Sequence, residues 1–192
     1  MKPALESERR LHPVHRLLQG TQVIDRMNLW FGYAASACVL IACLVSASNA
    51  GLRYAFSLGS NAWLEAQWYL FAYLVMFGAA QVLKVNEHVR VDLLYGMLAT
   101  RGRIWVDLFG LTVFLMPATI YLLVLCWPPA LDAMHSGEIS PNAGGLLRWP
   151  ARVALPIGFL LVVLQGAAEM IKRIAMLTGH LTADLHYDRP LQ

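Results

Sequence analysis

Charged positions divide this sequence into long apolar stretches. None falls between Arg26 and Arg53, and none within 66–83, 108–131 or 153–168. A helix needs about 20 mainly apolar residues to cross a bilayer. Trp63 and Leu64 bring the second stretch to that length, and the fourth reaches it between Trp149 and Ile171. The pattern therefore predicts an all-α membrane protein of four transmembrane helices, at about 29–52, 63–85, 105–130 and 151–171. It divides the chain into a tail over 1–28, a membrane domain over 29–175 and a second tail over 176–192.

Between the spans the spacing changes. Val14, Leu17, Leu18, Val23, Ile24 and Met27 recur as on one face of an amphipathic helix lying along the membrane interface. Leu93, Leu94, Met97 and Leu98 predict a second interfacial helix over 91–99. Pro117 lies inside the third span and predicts a kink or a break in its hydrogen-bond ladder. Pro128-Pro129 should end that helix, and Trp149-Pro150 should open the fourth span with proline in its first turn. All six tryptophans fall near span ends, as in an aromatic belt.

Basic residues set the expected orientation. Twelve of the fifteen Lys and Arg lie in the N-terminal tail, the loop after the second span and the C-terminal tail; only Arg53, Arg148 and Arg152 lie on the other side. Lys and Arg accumulate on the cytoplasmic side. Both termini are thus expected in the cytoplasm, and the loops 53–62 and 132–150 outside. The polar stretch Met1 to Gln22 has no apolar core of a cleaved signal, so the first span is expected to stay in the membrane.

Composition agrees. The chain has 192 residues, 58% hydrophobic and 14% charged, against roughly 25% charged in soluble domains. A net charge of +3 with no basic cluster gives no reason to expect a nucleic-acid partner; membrane lipid is the expected surroundings. Cys38, Cys43 and Cys126 read as small apolar fillers of spans. None of the six histidines lies inside a span, so no haem, metal or other cofactor is expected in this chain.

Three groups of residues stand out as candidates. Arg53 and Glu65 flank the short loop between the first two spans, either pairing across the hairpin or reaching water separately. Glu87-His88-Val89-Arg90-Val91-Asp92 follows the second span. A continuing helix puts Lys84, His88 and Asp92 on one face; an earlier stop lets Asp92 cap a helix at Leu93; a solvated turn needs neither. The segment Ser140 to Pro150 prescribes a turn and then a helix start. It reads equally as a connector or as a docking surface, with Asn142, Arg148 and Trp149 as the candidate contacts. The span interiors lack the acids of an ion-coupled carrier and the nucleophile–base pair of an enzyme. No catalytic residue is expected.

The stretch Asn61-Ala62-Trp63-Leu64-Glu65-Ala66-Gln67-Trp68-Tyr69-Leu70-Phe71, followed by Gly78-Ala79-Ala80 and by Asn86-Glu87-His88-Val89-Arg90-Val91-Asp92-Leu93-Leu94-Tyr95, resembles the small, DctQ-like membrane subunit of tripartite ATP-independent periplasmic (TRAP) transporters. Ser140 to Pro150 and Leu164-Gln165-Gly166-Ala167-Ala168-Glu169 resemble the branch associated with α-keto acids, mannitol and chloroaromatic acids. The resemblance implies a subunit of the bacterial inner membrane and uptake of an organic acid driven by an ion gradient, usually sodium. A periplasmic binding protein would deliver the acid, and a large M-type permease subunit would hold the substrate and ion sites. The small subunit would extend the static scaffold, with docking of the binding protein as a second role open to it. Glu65, His88, Arg90 and Asp92 match the family pattern as structural or interface positions, and Arg53 and Glu87 join them by position. The alternative from another class is a non-catalytic anchor subunit of a multi-subunit membrane enzyme.

Overall fold

The computed structural model describes residues 2–85 and 98–181, with side chains from residue 16 onward. The run Glu87–Asp92, nearly all of the expected interfacial helix at 91–99, and the tail beyond 181 lie outside the described residues. The described residues form α1 (Lys2–Phe56), α2 (Asn61–Val85), α3 (Thr100–Phe109), a π-helical turn (Gly110–Leu115), α4 (Met116–Ser136) and α5 (Trp149–Leu177). Four helical rods are long and apolar enough to cross a membrane, one of them being α3, the π turn and α4 in sequence. The chain is an all-α, four-span membrane protein, and no strand occurs among the described residues.

The stretch 14–27 is helical but runs into the first span without a break, as part of α1. At 1.5 Å per residue this 55-residue helix is roughly 80 Å long, more than twice the ~30 Å of hydrocarbon. Its buried positions fall on one stripe: Thr21, Asn28, Ala35 and Ala42, at 2%, 0%, 3% and 1% exposure, each seven residues after the last. A seven-residue period keeps one narrow seam against a neighbour in left-handed crossing, and small residues on it let the backbones approach. The seam faces α2 and α5.

Helix α5 is the hub, packed against α1, α2, α3 and α4. Half of its most apolar 18-residue window is buried, against 11% or less in the other three rods. Ala80, Leu83, Leu161 and Val162 form the apolar core, with Met27, Phe31, Phe77 and Ile157 around them. Two glycines set the spacing. A Cβ on Gly158 would lie 2.5 Å from Met76 Cβ and 2.9 Å from Met76 Cα; one on Gly166 would lie 2.9 Å from Met116 Sδ.

Prolines act differently at the two places the sequence marks. Before Pro117, which has no N–H to give, the ladder shifts to the wider π pattern over Gly110–Leu115, and the Met116 amide donates to the Leu111 carbonyl. This is the predicted break in the ladder, absorbed without ending the rod. Pro128-Pro129 does not end the helix: α4 continues to Ser136 and stops at Gly137 in the left-handed conformation (φ 61°). The expectation fails because the turns after the prolines have packing to gain. Ala130 and Ala133 are 4% and 1% exposed, and α4 lies along α5. As expected, Trp149 opens α5 with Pro150 in its first turn.

Candidate functional site

Buried polar groups gather at the two ends of the bundle. At one end are the loops 57–60 and 137–148, which close the α1–α2 and α4–α5 hairpins. The longer loop is a closed structure. Ser140 N–H donates to the Leu146 carbonyl at 2.9 Å, Arg148 N–H to the Glu138 carbonyl at 2.9 Å, and Gly145 N–H to the Asn142 carbonyl at 2.9 Å. Ile139 and Leu147 face each other in a single antiparallel bridge. The fold-back requires glycine: Gly144 has φ 72°, and a Cβ on Gly145 would lie 2.4 Å from the Ser140 carbonyl oxygen.

Glu65, in the second turn of α2, holds this loop down. It is 4% exposed. One carboxylate oxygen accepts from Ser140 Oγ and from Asn142 Nδ2 (2.6 Å), and the other accepts the Leu146 amide at 2.8 Å. Three donors satisfy the carboxylate, which is how a charge can sit beneath a loop. Further along α2, Tyr69 Oη donates to the Leu147 carbonyl at 3.0 Å and Tyr73 Oη to the Pro150 carbonyl at 2.7 Å. One face of α2, at steps of four, thus carries the whole start of α5.

Arg53 takes no part in this arrangement. Among the described residues no ion pair joins it to Glu65; its side chain lies beside Gly59, whose Cβ would stand 3.7 Å from Arg53 Cδ. Glu65 likewise does not reach water on its own, so neither geometry open to the pair in the sequence is adopted. The loop supplies the donors instead. Of the three candidate docking residues, Asn142 is bound to Glu65, Arg148 pairs with Glu138, and Trp149 is 37% exposed at the start of α5. Arg152 also pairs with Glu138, at 3.0 Å. Glu87, His88, Arg90 and Asp92 lie outside the described residues.

The other end carries a network that the sequence reading did not assemble. Asn28 Nδ2 donates to Gln165 Oε1 at 2.6 Å, and Gln165 Nε2 to Asp25 Oδ1 at 2.9 Å and Glu169 Oε1 at 3.1 Å. Lys172 Nζ sits 2.8 Å from both Asp25 and Glu169. Lys84 of α2 donates to the Asp25 carbonyl at 3.1 Å. One ammonium between two carboxylates ties α1 to α5, with α2 as a third member. Beside it, Arg173 reaches Asp107 of α3 at 3.4 Å, both side chains at most 10% exposed. A signal existed: Asp25 and Asn28 are i, i+3, and Gln165, Glu169 and Lys172 are i, i+4, i+7, so each set shares one helix face. Nothing in the sequence joins the two faces.

Between the ends, Ser36 Oγ and Thr119 Oγ1 donate to carbonyls of their own helices. Among the described residues no group of three or more His, Cys, Asp or Glu could hold a metal ion. The site chemistry is hydrogen bonding and ion pairing that fix helices and a loop in place.

These features define a multi-pass helical membrane protein with its polar groups used for internal bracing. Residues 42–176, more than half of the chain, match the family described as tripartite ATP-independent periplasmic transporters, DctQ component. The chain belongs to that family, a component of a transporter and not an enzyme family. Comparison with the curated proteins and with the solved structures gave no match.

Proposed function

We propose that this chain is the small permease subunit of a TRAP-type secondary transporter of the bacterial inner membrane. It pairs with a large M-type permease and serves as its fixed scaffold. The system takes up an organic acid handed over by a periplasmic binding protein, driven by an ion gradient, with sodium as the coupling ion held in the large subunit. Both termini face the cytoplasm in this reading, on the strength of the basic-residue count. The resemblance of Ser140 to Pro150 and of Leu164 to Glu169 supports the branch of the family associated with α-keto acids, mannitol and chloroaromatic acids, in which the other two components would select the substrate.

One observation carries the scaffold role. The buried ionisable groups sit at the two ends and are held there by the 137–148 loop or by neighbouring helices, while Ser36 and Thr119 in between bond to backbone carbonyls of their own rods. A carrier needs a polar site near the midplane; a brace does not. The outward faces of α1, α2 and α4 carry large apolar side chains such as Leu40, Leu44, Val75, Tyr121 and Val124, suited to lipid and to a membrane partner.

Co-expression with the neighbouring large permease tests the proposal. The two chains should co-purify, and uptake into proteoliposomes should require both together with the binding protein. Uptake by this chain alone would overturn the scaffold role, and a haem or flavin spectrum in the purified complex would overturn the transporter assignment.

A further inference from the structure

The third rod carries one backbone carbonyl that its own ladder leaves out. In an α-helix the Thr112 carbonyl would take the Met116 amide; in the wider π pattern it would take that of residue 117. Here the Met116 amide goes to Leu111, and Pro117 has no N–H. The Thr119 hydroxyl, further along the rod, donates to the Leu115 and Met116 carbonyls instead. Among the described residues no side chain donates to the Thr112 carbonyl. Thr112 lies seven residues past Trp105 and fifteen before Trp127, the tryptophans near the two ends of this span. At 1.5 Å per residue that is roughly 10 Å from one and 22 Å from the other, inside the hydrocarbon. Thr112, Val113, Phe114, Pro117 and Ala118 are all exposed, Val113 at 48% and Phe114 at 65%. The unmatched acceptor therefore stands on an outward stretch of the rod.

A second observation marks the same face. Gly158 and Gly166 have Met76 and Met116 against them, but a Cβ on Gly110 would meet nothing within 4 Å. Its φ of −59° does not call for glycine either. Glycine inside a helix is destabilising relative to alanine, and nothing in this chain offsets that at Gly110. It lies four residues before Phe114, on one side of the rod. In a membrane, a small residue on an open face lets a second backbone come close.

The occupant of this face must bring a hydrogen-bond donor to hydrocarbon depth. Acyl chains have none, and irregular backbone persists there only where protein or a water-filled cavity covers it. A second copy of this chain, paired about a two-fold axis, would set Phe114 against Phe114 at this depth and hold the rods apart. We infer that the large permease lays a membrane-spanning helix along Gly110, Phe114 and Pro117 and donates a hydroxyl or amide hydrogen bond to the Thr112 carbonyl. The inference rests on the scaffold reading above and adds to it the face and the bond that join the two chains. The unmatched carbonyl and the open glycine then have one cause.

Photo-crosslinking in the co-expressed complex tests it. With benzoylphenylalanine in place of Phe114, the adduct should form with the large permease. Gly110→Leu should leave the melting temperature of the full chain alone unchanged, because its side chain enters open space, and lower recovery of the permease about fivefold. Pro117→Ala restores an N–H and with it the regular ladder; it should also lower recovery about fivefold, the scale of one hydrogen bond between membrane helices. Adducts only with lipid or with a second copy overturn the inference, as does wild-type recovery by both variants. Should Pro117→Ala disturb packing on α5, Gly110→Leu and the crosslink decide. A wild-type chain that recovers no permease overturns the scaffold reading and this inference together. A wild-type chain that recovers it while the probe at Phe114 stays unlinked to it overturns this inference alone.

Discussion

Glu65 accepts the backbone amide of Leu146 at 2.8 Å across 81 positions of sequence. That bond, with those from Ser140 and Asn142, fastens the 137–148 loop to α2 and so fixes where α5 starts. The loop is held chiefly by one carboxylate on another helix.

Glu65→Gln should therefore release the loop while leaving the bundle folded. The amide keeps one acceptor oxygen but turns a donor toward groups that are themselves donors. Hydrogen exchange of the 138–148 peptide should speed up while exchange in α5 beyond Ala154 stays slow. Glu65→Lys should act more strongly, since it also places a cation near Arg148. In a complex with its large subunit, the same variants should lower yield or uptake.

Gly145→Ala should open the same loop from the opposite side, because its Cβ would lie 2.4 Å from the Ser140 carbonyl oxygen. Its exchange pattern should match that of Glu65→Gln. If the loop of Gly145→Ala stays as protected as that of the wild type, the fold-back is not what holds Ser140 against Glu65.

Gly158→Ala should separate α2 from α5. The added methyl would meet Met76 Cβ at 2.5 Å and Met76 Cα at 2.9 Å, and backbone cannot rotate aside. Overpacking of this kind costs roughly 1–3 kcal/mol, visible as a lower melting temperature in detergent. Gly110→Ala, with nothing within 4 Å of the new Cβ, should melt close to the wild type.

At the far end, Lys172→Met leaves Asp25 and Glu169 without the ammonium they share. The loss should be roughly 2 kcal/mol, the scale of charge-assisted hydrogen bonds. Adding Asp25→Asn should cost less than the sum of the two single changes, since the remaining Glu169 then faces no second carboxylate. Strict additivity in such a cycle would show that the groups do not act together.

Asn28 and Gln165 test the asymmetry of buried polar pairs. Both are fully buried and bonded to each other at 2.6 Å. Asn28→Leu alone should cost about 1 kcal/mol, the usual scale for such a bond inside a membrane protein, by leaving Gln165 without its donor. Adding Gln165→Leu should deepen the loss and not recover it, because the Gln165 amide also donates to Asp25 and Glu169, as denaturation in mixed micelles can show.

The sequence determined the number of spans, the ladder break at Pro117 and the start of α5 at Trp149-Pro150. Each follows from a local cost: charge in hydrocarbon, or a proline without an N–H. It did not determine which faces meet. In soluble proteins apolar periodicity marks the core, but lipid is as apolar as a core. Val39, Leu40 and Leu44 are as hydrophobic as a core stripe would be and face outward, while the buried seam of α1 is Thr21, Asn28, Ala35 and Ala42. The helix through Pro128-Pro129 was beyond local reading for a related reason, since what sustains it is contact with α5. The partners of Glu65 and Asp25 were also decided only in the folded bundle. A buried carboxylate must find donors, and which donors come within 3 Å depends on how α5 packs beside α1 and α2.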